Sequence, residues 1–132
     1  MKVLALDFGS ARTGVAVSDP TGTLARPLCV VERAGEDAGL ARLAELVAEE
    51  GAERVVVGMP LTLRGARGEQ ARATEDFVAL LAAEVDVPIE TYDERFTTGL
   101  AQQTPSKVSA EDARAAAHLL SSYLEWSSAA RA

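Results

Sequence analysis

The chain has 132 residues, nearly half of them hydrophobic (48%) and a quarter charged (25%), which is the composition of one globular domain rather than of a disordered or fibrous chain. A formal net charge of −7 argues against a uniformly basic nucleic-acid binder, and the single cysteine excludes an internal disulfide. No apolar run approaches membrane-spanning length and no charged leader precedes one, so a soluble cytoplasmic protein without a membrane partner is expected.

In chain order, Val3-Leu4-Ala5-Leu6 is a short apolar run that ends abruptly in Asp7. A turn punctuated by Gly9 and Gly14 follows, and then the second apolar run, Val15-Ala16-Val17. Asp19-Pro20-Thr21-Gly22 is a turn signature, and Thr23 to Glu32 reads as a third strand interrupted at Pro27. Such short connections predict an antiparallel meander. Glu36 to Glu50 has helical period, with Leu40, Leu43, Ala44 and Val47 on one face and Gly51 as its stop. Arg54 to Gly58 is a β-branched run suited to a strand buried on both faces, and Met59 to Gly68 is a loop. Glu69 to Glu84 is helical again, with Ala73, Phe77, Leu80 and Leu81 as its apolar stripe, and Val87 to Tyr92 is the last strand. A short helix from Thr97 to Gln103, a break at Thr104-Pro105-Ser106 and a closing helix from Ala110 to Trp126 complete the chain, with a frayed tail at 127–132.

This order predicts a single α/β domain over residues 1–132. It is the order of a ribonuclease H-like fold: a five-stranded mixed sheet, with a three-strand antiparallel meander, two parallel strands and flanking helices. The first strand is then central, and acids at strand ends can converge with one on the last helix.

Charge is unevenly spread. Residues 32–53 hold Glu32, Glu36, Asp37, Glu45, Glu49, Glu50 and Glu53 against Arg33 and Arg42, whereas the remainder is nearly balanced and places Arg64, Arg67 and Arg72 close together. A local cationic patch on an acidic protein is compatible with this pattern. Cys29 lies in an apolar run with no basic neighbour, which suits a packed thiol rather than a nucleophile.

Four places carry candidate chemistry. Asp7 ends an apolar strand, where a carboxylate needs a cation, a partner or water. It either helps to hold a metal or accepts hydrogen bonds from the turn amides of Gly9 and Ser10. The loop from Gly58 to Gly68 combines Pro60, Gly65 and Gly68 with Arg64 and Arg67 before a helix N-terminus, an arrangement that suits a phosphate, although the Walker ending is missing. Asp93 and Glu94 follow the last strand, where one can face inward, with Arg95 available as a counter-charge or phosphate contact. The same pair could instead serve only as negative charge at a helix start. Asp112 shares a helix face with Ala116, Leu119, Leu120 and Tyr123, but Ser109 three residues earlier also resembles a capping arrangement. His118 lies well off that face and is expected to be packed or solvated.

Taken together, these places resemble the YqgF (RuvX) family. The resemblance rests on Leu6-Asp7-Phe8-Gly9-Ser10 with Gly14-Val15-Ala16, on Ala25-Arg26-Pro27-Leu28, and on Gly58-Met59-Pro60-Leu61 with Gly65, Gly68 and Phe77. It continues in Asp93-Glu94-Arg95-Phe96-Thr97-Thr98 and in Asp112-Ala113 with Ala115-Ala116, Leu120 and Tyr123-Leu124. The family is described as candidate pre-16S rRNA nucleases and Holliday junction resolvases of ribonuclease H-like fold. The resemblance implies a hydrolase that cuts phosphodiester bonds, with rRNA precursor or branched DNA as nucleic-acid partner and association with ribosomal particles. It matches Asp7, Glu94 (or Asp93) and Asp112 to acids that hold Mg²⁺ or Mn²⁺; the lack of a Cys/His cluster disfavours zinc. Two ions roughly 4 Å apart would activate a water and stabilise the leaving oxygen. Arg12, Arg64, Arg67, Arg95 and Lys107, with the backbone at Gly65 and Gly68, would position the substrate. The segment from Gln102 to Glu111 departs from the family pattern, since it lacks glycine and has Lys107 as its one lysine. An actin-like ATPase shares the Asp-x-Gly turn but needs a second domain, and a non-catalytic RNA-binding domain of the same fold is the other reading. Either a monomer or a homodimer is compatible, and resolving a symmetric junction would need two sites.

Overall fold

The computed structural model describes residues 1–60, 68–93 and 108–131. The strands are β1 (Val3–Asp7), β2 (Arg12–Ser18), β3 (Ala25–Glu32), β4 (Arg54–Met59) and β5 (Ile89–Asp93). The helices are α1 (Asp37–Glu50), α2 (Glu69–Ala82) and α3 (Val108–Arg131). The sheet order is β3-β2-β1-β4-β5, with β1 in the middle as expected. β1, β2 and β3 pair antiparallel, while β4 lies parallel to β1 and β5 parallel to β4. The short connections impose the meander, and the helical crossovers through α1 and α2 impose the parallel pairs. The expected short helix from Thr97 to Gln103 lies outside the described residues.

Strand alternation divides the core into two layers. One face of the sheet carries large side chains, Leu4, Leu6, Val15, Val17, Val55 and Val57, and receives α1 and α2 through Leu40, Leu43, Phe77 and Leu81. The other face carries small ones, chiefly Val3, Ala5, Ala16 and Val56, and receives α3 through Ala116, Leu119, Leu120, Tyr123 and Leu124. Ala5 and Ala16 are cross-strand partners, so α3 can lie close to the sheet there.

Two helix details differ from the periodic reading. On α2 the inward residues are Ala71, Thr74, Phe77 and Leu81, whereas Leu80 is 50% exposed and Ala73 is also outside. Thr74 had no place in an apolar stripe, yet its hydroxyl donates to the Gln70 carbonyl (2.8 Å), so its burial leaves no polar atom unmatched. On α3 the helix runs on to Arg131 rather than fraying from Ser127. Trp126 explains part of this continuation, since it packs against Tyr92 and Tyr123 at ring separations of 5.8 and 5.9 Å.

The turn between β2 and β3 is held by Asp19, whose carboxylate accepts from the amides of Thr23 (2.8 Å) and Leu24 (2.9 Å) and from the Thr21 hydroxyl. Those donors, the Thr21 hydroxyl first, hold its carboxyl well below the usual carboxylate range. Cys29 is half-buried against the larger-residue layer, and burial pushes its thiol pKa up, as a packing role requires.

A polar lock ties α3 to the parallel edge. Arg54 of β4 donates to Glu90 (3.2 Å) and to the Tyr123 hydroxyl (2.9 Å), and that hydroxyl donates to Glu90 (3.0 Å). Tyr123→Phe removes the shared hydroxyl and is expected to cost about 1–2 kcal/mol in urea unfolding. Burial raises the Tyr123 pKa above its ordinary 10.0. A phenol whose pKa is raised by folding contributes stability that is complete below the unfolded value and declines as pH rises past it. Wild-type stability should therefore fall above about pH 10, and Tyr123→Phe should flatten that fall, leaving the contribution of Cys29, whose thiol burial also pushes up.

Candidate active site

The site is built at one end of the α3 face. Val3 and Ala5 belong to the α3 layer, so alternation sends Asp7 to the same face. Phe8 secures this by pointing the other way and stacking on Phe77 of α2, with centroids 4.3 Å apart and planes 14° apart. Asp7 is half-buried at the strand's end, and the Gly9 amide of the following turn donates to Thr13 Oγ1 (3.4 Å). Gly9 suits that turn because a Cβ would lie 2.4 Å from the Arg12 carbonyl oxygen.

Asp112 comes to Asp7 through Gly14. In the sheet register Asp7 pairs with Gly14, and a Cβ on Gly14 would lie 1.9 Å from the Asp112 carbonyl oxygen. The first part of α3 therefore rests directly on the β2 backbone beside Asp7, and only glycine leaves room for it. Further along α3, Ala116, Leu119, Leu120 and Tyr123 are buried as expected, which fixes the rotation of the helix. Asp112 lies inside the helix and not at its cap, and its Oδ2 is 3.2 Å from Arg12 Nε. Arg12 is thus engaged with an acid of the site, a pairing across 100 positions that no local pattern could reveal.

Asp93 closes β5 opposite Met59. Glu90 and Tyr92 of the same strand reach Tyr123 and Ser122 of α3 (3.0 and 2.9 Å), so alternation assigns Asp93 to the other face of the sheet. Gly68 is the N-cap of α2 with φ −91°, and a Cβ there would meet open space, so the fold does not require glycine at this position. A shallow cavity of about 290 Å³ lies between Phe8-Gly9-Ser10 and Glu69, Gln70 and Ala73 at the start of α2. Glu94, Arg64, Gly65, Arg67, Arg95 and Lys107 lie outside the described residues. His118 is half-buried on α3. Among the described residues no group of three or more metal-ligating side chains is assembled, and no helix is long and apolar enough to cross a membrane.

A mixed sheet of this order, with the long last helix packed across one face and two helices on the other, defines the ribonuclease H-like class. Among solved structures the fold is similar to that of Thermus thermophilus RuvC in complex with Holliday junction substrate, at a TM-score of 0.62 and 22% identity over 96% of each chain. The family model "RuvX: Holliday junction resolvase" matches residues 1–126, and the chain belongs to this family. A Chloroflexus aggregans protein named "Putative pre-16S rRNA nuclease" is 42% identical over 93% of this chain and 92% of its own. A Rubrobacter xylanophilus protein of the same name is 46% identical over 94% and 92%. These matches bear out the family resemblance drawn from the motifs.

Proposed function

We propose that this protein is a divalent-metal-dependent nuclease that hydrolyses phosphodiester bonds in structured nucleic acid and processes the ends of pre-16S rRNA. The observation that supports the reading is that Gly14 pairs with Asp7 in the sheet and also bears the α3 backbone at Asp112, so two acids from opposite ends of the chain flank one glycine. Family membership and the shared name of the relatives point the same way.

The donor set fits a hard cation, since it consists of carboxylate oxygens, with no histidine or thiol beside them. Asp7 and Asp112 would hold Mg²⁺ or Mn²⁺, and Glu94 is the third ligand in this reading because Asp93 belongs to the opposite face. The bound ion would supply an activated water and stabilisation of the leaving oxygen. The chain's own part is to orient: β1 holds Asp7 on the substrate side, and Gly14 sets the height of Asp112. Arg64, Arg67 and Arg95 are assigned to backbone phosphates, with Lys107 and the Gly65–Gly68 backbone beside them.

The test uses purified protein on precursor rRNA and on a four-way DNA junction, with Mg²⁺, Mn²⁺ or chelator. Precursor cleavage that stops on chelation is expected. Cleavage confined to the junction would move the substrate to branched DNA, the activity in the family's description. Binding of precursor with no cleavage under either ion would leave a non-catalytic RNA-binding domain.

A further inference from the structure

Asp112 already has a cation against it. Arg12 opens β2 and shares the α3 face with Gly14 two residues later, and its Nε lies 3.2 Å from Asp112 Oδ2. The packing of α3 on Gly14 that brings Asp112 beside Asp7 therefore also brings it within reach of Arg12. Both partners remain open to water, with side-chain exposures of 47% and 32%. An exposed ion pair through one nitrogen adds little to stability, so its main effect is on the charge of the site. Among the described residues, it offsets one of the two carboxylates assigned to this end of the sheet.

The geometry points to Arg12 as a resident competitor for the divalent ion at Asp112: its guanidinium occupies the carboxylate in the metal-free protein and is displaced when the ion binds. This rests on the nuclease reading above, in which Asp112 is a metal ligand. The competition tunes affinity downward, because each ion that binds must first open the pair. It is strongest at low ionic strength, where the pair is least screened.

The experiment is a Mn²⁺ titration at low salt without nucleic acid, followed by calorimetry or by the electron paramagnetic resonance of free Mn²⁺. Wild type, Arg12→Gln, Arg12→Ala, Asp112→Asn and the Arg12→Gln/Asp112→Asn double variant are compared, with circular dichroism to select folded samples. Both Arg12 variants should bind Mn²⁺ roughly two- to fivefold more tightly than wild type, the range set by an exposed ion pair. The gain should vanish in the Asp112→Asn background and shrink as salt is added. Unchanged or weaker binding in folded Arg12→Gln would overturn the competitor role while leaving the metal site standing. Failure of the wild type to bind Mn²⁺ at all would overturn the nuclease reading and this proposal together.

Discussion

Asp7→Asn should reduce cleavage by about a thousandfold or more while the protein stays folded. The magnitude follows from the proposed role of Asp7 in holding the divalent ion: an ion held there would supply several kcal/mol of transition-state stabilisation, and each 1.4 kcal/mol is about tenfold in rate. Folding should survive because asparagine has the shape of aspartate and the site is a half-buried strand end rather than the core. The anchoring contacts also remain, since Phe8 still stacks on Phe77 and β1 still pairs on both sides. Thermal unfolding within about 3 °C of wild type should accompany the loss of cleavage. Full metal-dependent turnover by this variant would remove Asp7 from the mechanism.

Gly14→Val should damage both fold and activity, although residue 14 carries no functional group. Any Cβ there meets the Asp112 carbonyl at 1.9 Å, and the obstacle is helix backbone, which cannot rotate aside like a side chain. The helix must move outward as a body, opening the contact between α3 and the small-residue layer of Ala5 and Ala16. Overpacking of this kind costs about 1–3 kcal/mol, or roughly 4–11 °C in Tm for a domain of this size. Activity should fall further than the folded fraction does, because the shift carries Asp112 away from Asp7. Gly14→Ala separates the two effects, with a smaller Tm loss and a residual defect in cleavage. Wild-type stability and cleavage in both variants would show that α3 does not rest on β2 at this point.

Much of this architecture was legible in the residue pattern. The alternation and turn residues of the first three strands, the β-branched run at Val55–Val57 and the helical periods placed every described element within a few residues of its position. These signals are local, set by neighbours one to four positions away. The inward face of α2 was misread because Leu80 is apolar yet exposed, whereas Thr74 is polar yet buried and meets its hydrogen-bond need within its own helix. Hydropathy cannot register a polar group satisfied in this way.

The acids themselves, Asp7 and Asp112, could be picked out from the chain by their setting, a charge ending an apolar strand and a charge on an apolar helix face. What places them together could not. Gly14 looked like turn punctuation, and only the docking of α3 shows it as the gap through which helix and sheet backbones touch. Arg12 looked like a substrate contact, and only the same docking sets it against Asp112. Local sequence thus determined which segments are strands and helices, because backbone preference and side-chain period are short-range properties. The tertiary structure decided which side chains share the site, because that depends on how closely two distant backbones approach, and this distance is written in the small residues between them.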